Sequence, residues 1–200
     1  GLGTGWFAEE HEMFGLPFPD ERFDLLEDAL AYTRAGLEGR AHDGPYYRIS
    51  SFEIRPSPTN LRIVVGGSGP KRTPELAGRY ADEFNVYCGP IDEMTARIAL
   101  AKDAAERAGR NPDSLLISTA GVVVTGTDDT AYRSALAAAA ERFQREPDEL
   151  ERSMRARGNP IGLDAAETID AMAELGVRRF YLQMFGNDAE RRGDVLDALS

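Results

Sequence analysis

The 200-residue sequence holds one cysteine, Cys88, and two histidines, His11 and His42. A single thiol closes no internal disulfide, and without a Cys-x-x-Cys pair there is no thiolate framework for a metal. Two histidines are too few for a histidine-rich metal centre. No apolar run reaches the roughly 18 residues that a membrane span needs, and no segment is laid out like a secretory signal. The expectation is a cytoplasmic protein with no membrane partner. Positive charge is also short, at 23 Lys and Arg against 34 Asp and Glu, a net charge of -11. Such a surface repels a phosphate backbone, so nucleic-acid binding is not expected. A local basic pocket for one small anion stays compatible. Two phosphate signatures are missing as well: neither the P-loop spacing nor Gly-x-Gly-x-x-Gly is met.

What remains reads as an ordinary globular chain. Hydrophobic residues make up 42% and charged residues 28%, which argues against disorder. Residues Glu21 to Glu38 carry Phe23, Leu26, Leu30 and Leu37 at helical spacing, with Asp20 as N-cap, Phe18 as a staple and Gly39 as the stop. Gly44 to Asn60 reads as short extended pieces, a hairpin ending in a rigid turn at Pro56 to Pro58. Leu61 to Val65 is a short β-branched run, read as a strand buried on both faces. Thr73 to Tyr80 follows as a helix with Thr73 as N-cap. Then come a strand at Glu83 to Tyr87, a helix at Ile91 to Ala108 and a strand at Leu115 to Thr125. A helix at Asp128 to Gln144 follows, then one at Ala165 to Leu175 with Asp164 as N-cap. A strand at Val177 to Met184 and a helix at Ala189 to Leu199 end the chain.

Alternating strands and helices imply an α/β fold with a parallel sheet and helices outside. Counting a strand end at Leu2 to Gly5 gives about five strands in one domain spanning residues 1–200. That fits either a doubly wound open sheet or a barrel without its first three βα units. Gly1 opens in what reads as mid-element, so residues upstream are expected.

Two glycine loops follow strands. Gly66-Gly67-Ser68-Gly69 lies between a strand and a helix, where backbone N–H groups approach an anion and the helix N-terminus adds partial positive charge. Ser68 and Thr73 bring hydroxyls, and Lys71 or Arg72 brings a cation. The alternative is a tight turn with glycines at positive φ. Gly3-Thr4-Gly5-Trp6 is the second loop; its alternative is a plain glycine turn. Trp6, Phe7 and Phe14 would either wall a flat ring or serve as core. Glu9, Glu10, His11 and Glu12 read as a solvated loop or helix turn before an acid–base group. Cys88 reads as a small buried residue. Gln183 ends the last strand, where a buried amide needs partners.

Taken together, Gly3-Thr4-Gly5-Trp6, Glu9-Glu10-His11, Phe14-Gly15, Pro17-Phe18 and Arg22-Phe23 resemble a mid-chain block of the luciferase-like monooxygenases, in particular their coenzyme F420-dependent branch. Gly44-Pro45-Tyr46-Tyr47 and Ile63-Val64-Val65-Gly66-Gly67-Ser68-Gly69 are similar to later blocks. So are Ala77-x-x-Tyr80-Ala81-Asp82-Glu83-Phe84-Asn85, Gly109-Arg110-Asn111-Pro112 and Gly176-Val177-Arg178-Arg179-Phe180. The resemblance implies a (β/α)₈ TIM-barrel type fold, with about three βα units not in this chain. It also implies an F420-dependent oxidoreductase transferring hydride to or from a small organic substrate. A homodimer is expected, since five barrel strands leave open edges that invite pairing with another chain. Gly3, Thr4, Gly5 and Trp6 would border the cofactor; Gly66, Gly67, Ser68, Gly69 and Arg72 would hold its phosphate. No acid or base is assigned. The same fold with FMN as a monooxygenase is the alternative, and a non-catalytic binding module the other.

Overall fold

The computed structural model describes residues 1–52, 54–56, 58–185 and 189–199. The chain divides into two compact units, Gly1–Phe84 with Ala99–Leu115 and Asn85–Ile98 with Leu116–Ser200. Strand β4 (Glu83–Tyr87) and helix α4 (Ile91–Arg107) are each split between them.

The first unit contains α1 (Ala8–Met13), α2 (Arg22–Leu37), a hairpin of β1 (His42–Asp43) and β2 (Arg48–Ile49), β3 (Val64–Gly67) and α3 (Arg72–Tyr80). The hairpin is antiparallel with His42 opposite Ile49. Strand β3 neighbours β4, and Leu2 makes a parallel bridge to Val65 on β3. Leu26, Leu30, Ile63, Val65, Leu76 and Ala77 are buried in this unit. Helix α3 approaches α4 at Gly78, where a Cβ would collide with the Ala101 carbonyl. The last carbonyls of α3 lack helical partners, and two arginines supply them. Arg110 donates to the Gly78 and Ala81 oxygens at 2.5 Å each, and Arg34 donates to the Tyr80 oxygen at 2.5 Å and pairs with Asp82 at 3.1 Å.

The second unit contains β5 (Leu116–Val122), α5 (Asp129–Phe143), α6 (Pro147–Ala156), α7 (Ala165–Glu174), β6 (Arg179–Gln183) and α8 (Ala189–Ala198). The sheet here runs β4-β5-β6. Strands β5 and β6 are parallel, in register from Ser118 opposite Arg179 to Val122 opposite Gln183. Tyr132, Leu136, Ala139, Leu150, Met154 and Ile161 pack into one cluster with Val124. Parallel strands alternating with helices match the α/β class that the periodicity predicts.

Several boundaries and caps differ from the sequence reading. Strand β3 begins at Val64 because Ile63 is taken by a turn: its N–H donates to the Asp82 carboxylate and its carbonyl accepts from the Asp82 and Glu83 N–H groups. Thr73 is not the N-cap of α3; Lys71 is, with no side-chain cap bond. Glu21 rather than Asp20 caps α2, again without a side-chain bond, and Phe18 lies under the Arg22 guanidinium. Asp164 does precede α7 but makes no cap bond, because its carboxylate is drawn to Arg155 at 3.0 Å through both oxygens. Asp128 caps α5 as its sequence predicts, accepting from the Ala131 N–H at 2.8 Å. Strand β5 stops at Val122, and Val124 continues only as a bridge to Ile161. The extended pieces around Phe52 to Ile54 and the turn at Pro56 to Pro58 include Glu53 and Ser57, which lie outside the described residues. Helix α6 has no counterpart in the sequence reading.

Candidate functional site

In parallel α/β folds, ligand sites form where strands end and loops begin. Strand β3 ends in Gly66 and Gly67, and Ser68 and Gly69 lead on towards α3. Gly67 has φ +148°, a conformation that side chains rarely adopt. A Cβ on Gly69 would stand 2.6 Å from Thr73 Oγ1, so glycine is needed there for the loop to close over the buried Thr73. The first turn of α3 receives no side-chain cap. The Arg72 and Thr73 N–H groups, since Pro74 has none and Glu75 donates to the Lys71 carbonyl, therefore form a cradle of backbone donors with the loop amides.

The cations beside this cradle are not equivalent. Arg72 pairs with Asp24, lies 3.8 Å from Glu27, and rests over the Phe23 ring. It lines a cavity of about 300 Å³ among helix residues, with Arg79 already paired to Glu27. Its charge is therefore largely compensated. The Lys71 ammonium has no ion-pair partner among the described residues, and it stands at the N-cap itself.

The other loop, Gly3 to Trp6, starts from the Leu2 bridge to β3. Gly5 has φ +69°, and a Cβ there would meet His11 Nε2 at 2.6 Å. His11 Nδ1 lies 3.0 Å from the Pro17 carbonyl oxygen, so Nδ1 donates to it and Nε2 faces Gly5. His11 thus shapes the loop rather than only being solvated. Trp6 is 86% exposed and stacks on Phe7 at 5.3 Å; it presents a free ring face. Phe14 is exposed too and is not core.

The strand ends of the second unit surround an open cavity of about 280 Å³. Tyr87 and Cys88 come from the end of β4, Gly121 and Val122 from the end of β5, and Gln183 from the end of β6. Helix α6 closes one side with Leu150, Ser153 and Met154, and the segment after it adds Arg157 and Asn159. Leu150, Met154 and Cys88 are buried and give the cavity an apolar floor. Burial pushes the Cys88 thiol up to about 11, so at neutral pH it is a protonated, unreactive floor residue. Its Sγ lies 3.7 Å from the Gly158 carbonyl oxygen. Arg145 is half-buried and held by Glu149 at 2.6 Å and Ser153 at 3.2 Å; that pairing lowers the Glu149 carboxyl.

Sequence reasoning singled out Cys88 and Gln183, and both line this cavity. It missed Arg145, Ser153, Arg157 and Asn159 because it passed over α6. The signal was present: Pro147 at the first position with Asp148 and Glu149 behind it, then Leu150, Ser153, Met154 and Arg157 at i, i+3, i+4 and i+7.

A third polar cluster is structural. Asp28 is 6% exposed and accepts His42 Nε2 at 2.6 Å and the Tyr46 and Tyr47 N–H groups at 2.8 Å each. Burial raises this carboxyl, but the Tyr46 N–H, His42 and the Tyr47 N–H outweigh it and hold it below its ordinary value. The cluster pins the hairpin to α2. Among the described residues, no group of three or more His, Cys, Asp or Glu could hold a metal ion, and no helix is long and apolar enough to cross a membrane.

Comparison with known proteins places these loops in a context. Residues 1–194 match the family model described as luciferase-like monooxygenase. A phthiodiolone/phenolphthiodiolone dimycocerosates ketoreductase of Mycobacterium kansasii is 33% identical over 147 residues, 68% of this chain and 38% of its own. Among solved structures, an F420-dependent secondary alcohol dehydrogenase bound to an F420–acetone adduct superposes with TM-score 0.71 at 17% identity. The match covers 95% of this chain and 66% of that one. The oxygenating constituent of 3,6-diketocamphane monooxygenase from Pseudomonas putida, bound to FMN, gives 0.65 at 18% identity, with 99% and 68% covered. These likenesses establish the fold, and the chain spans less than half the length of the curated relatives it matches.

Proposed function

Because the chain belongs to the luciferase-like monooxygenase family, we propose that it is part of an F420-dependent oxidoreductase that moves hydride between the deazaflavin and a small organic substrate. The observation that carries this reading is the cradle at the end of β3, where glycine is required at 67 and 69 and α3 starts without a side-chain cap. The residues fit a phosphate-bearing cofactor: a side chain at 69 would fill the space, and backbone donors are left for an anion.

In this reading the Gly66 to Gly69 amides hold the phosphate, and Lys71 balances its charge more directly than Arg72, which Asp24 already engages. Gly3, Thr4 and Gly5 form the second wall, with His11 fixing Gly5 in its positive-φ turn. Trp6 offers its exposed ring face to a planar ligand. Bound, the deazaflavin supplies the two-electron chemistry, and the protein supplies position and electrostatics. No acid or base is assigned. The F420-dependent structural neighbour supports this cofactor, and the ketoreductase relative supports a reduction as the reaction type. The FMN-bound neighbour supports the second reading, an FMN-dependent monooxygenase.

Titration of the full-length protein with F420 and with FMN, followed by fluorescence quenching, tests both. Saturable quenching by F420, with no oxygen uptake on adding FMNH₂, supports the proposal. Tight FMN binding with oxygen uptake moves the protein to the monooxygenase reading. Binding of neither leaves a non-catalytic binding module. The homodimer expected from the open strand edges belongs to the same proposal, and sedimentation of the full-length protein measures it.

A further inference from the structure

The cavity at the ends of β4, β5 and β6 is chemically biased against the rest of the molecule. The chain carries a net charge of -11, yet the lining of this cavity includes Arg145 and Arg157 and no Asp or Glu. Arg145 is spoken for by Glu149 and Ser153. Arg157 is not: the structure gives its guanidinium no hydrogen-bond or ion-pair partner among the described residues, and the same holds for the side-chain amides of Asn159 and Gln183. Three unused polar side chains therefore line one cavity with an apolar floor of Leu150, Met154 and Cys88. Two nearby acids of this unit, Glu151 and Asp164, are both paired with Arg155 of α6, at 3.3 and 3.0 Å.

From this we infer that the cavity binds a small organic anion, a carboxylate attached to an apolar body, as the substrate of the oxidoreductase reading on which this inference rests. The guanidinium fork matches a carboxylate through two parallel N–H donors. Arg145, paired with Glu149 and Ser153, lines the cavity with its charge largely compensated, which leaves Arg157 as the anchoring cation. The Asn159 and Gln183 amides supply further donors, and Leu150 and Met154 receive the apolar body. A volume of about 280 Å³ lies just below the usual range of ligand cavities, which starts at roughly 300 Å³, so the ligand is small. Other anionic ligands, including the cofactor's own charged groups, share the carboxylate's chemistry, and the test separates them.

Benzoate and its neutral isostere benzamide serve as probes in calorimetric titrations of the full-length protein, with Arg157→Gln, Arg157→Lys and Arg145→Gln as variants. Unfolding midpoints first establish that each variant is folded. The expected result is benzoate binding that is at least tenfold tighter than benzamide binding. Arg157→Gln should lose that tenfold, Arg157→Lys should recover part of it, and benzamide should be indifferent to all three. FMN and F420 affinities should be the same in Arg157→Gln as in the parent. Equal binding of the two probes, or benzoate binding untouched by Arg157→Gln, overturns the inference. So does cofactor affinity falling with Arg157→Gln while benzoate competes with the cofactor, since the cavity would then hold the cofactor. If neither cofactor binds the parent protein but benzoate binds through Arg157, the oxidoreductase reading fails while the anion site stands.

Discussion

The two units end their strands in different chemistry. After β3 the donors are backbone amides, exposed by glycines at 67 and 69 and by an uncapped helix start. After β4, β5 and β6 the polar groups are side chains: Arg157, Asn159 and Gln183 over a floor of Leu150 and Met154. A backbone cradle depends on shape and tolerates most changes of neighbouring side chains. A side-chain cavity is rewritten by one substitution. In a fold that serves many reactions, the first kind of site suits a shared cofactor and the second a particular substrate.

The sharpest way to break this contrast is the double change Gly67→Ala and Gly69→Ala. It should weaken F420 or FMN binding by about a hundredfold, roughly 2.7 kcal/mol, and leave benzoate binding unchanged in the same calorimetric assay. Loss of both affinities together would mean that the cradle and the cavity are not separate devices.

The next effect concerns buried against exposed carboxylates. Asp28→Asn removes charge from a buried acceptor of three donors and should cost about 2 kcal/mol in urea unfolding. The folded Asp28 carboxyl titrates below its ordinary 3.8. Its contribution is therefore complete above that value and is lost as pH falls through the lower folded value. Acid unfolding of Asp28→Asn should accordingly be less steep below about pH 4.

Close packing under the cavity gives a smaller signal. A Cβ on Gly121 would stand 2.9 Å from Cys88 Sγ, so Gly121→Ala should cost about 1 kcal/mol by overpacking. Adding Cys88→Ala should restore most of it, and an uncompensated double variant would place the strain elsewhere. The smallest expected effect is that of Asp164→Asn. Its link to Arg155 lowers the Asp164 carboxyl, but the side chain is half exposed. Solvent screening limits the loss to about 0.5 kcal/mol, and a loss equal to that of Asp28→Asn would erase the distinction between the two carboxylates.

Much of this was legible from residue order. Period 3.6 located α2 and α4, the β-branched run located β3 to within three residues, and Asp128 declared itself as a cap because an N-cap needs only a partner three residues on. The glycine loops were visible because clustered glycines mark tight turns and close backbone approach, and one glycine in each loop, Gly5 and Gly67, has positive φ. Thr73 is not a cap, and Asp164 takes its N-cap position without a cap bond, for one reason: a side chain near a helix start also has distant suitors. Asp164 chose Arg155, while Thr73 lies buried beneath Gly69.

The sequence by itself determined the alternation of strands and helices, the glycine loops at strand ends and the acidic surface, because each depends on residue type and on neighbours a few positions away. Only the tertiary structure decided which charges are spent. Arg72 meets Asp24 across 48 residues and Arg34 meets Asp82 across the same separation, while Lys71 and Arg157 meet no such partner among the described residues. Packing likewise brought Cys88 to Gly158 across 70 residues and set α6 against the strand ends. Pairing and enclosure depend on which distant groups the fold brings within reach, and no local pattern encodes that.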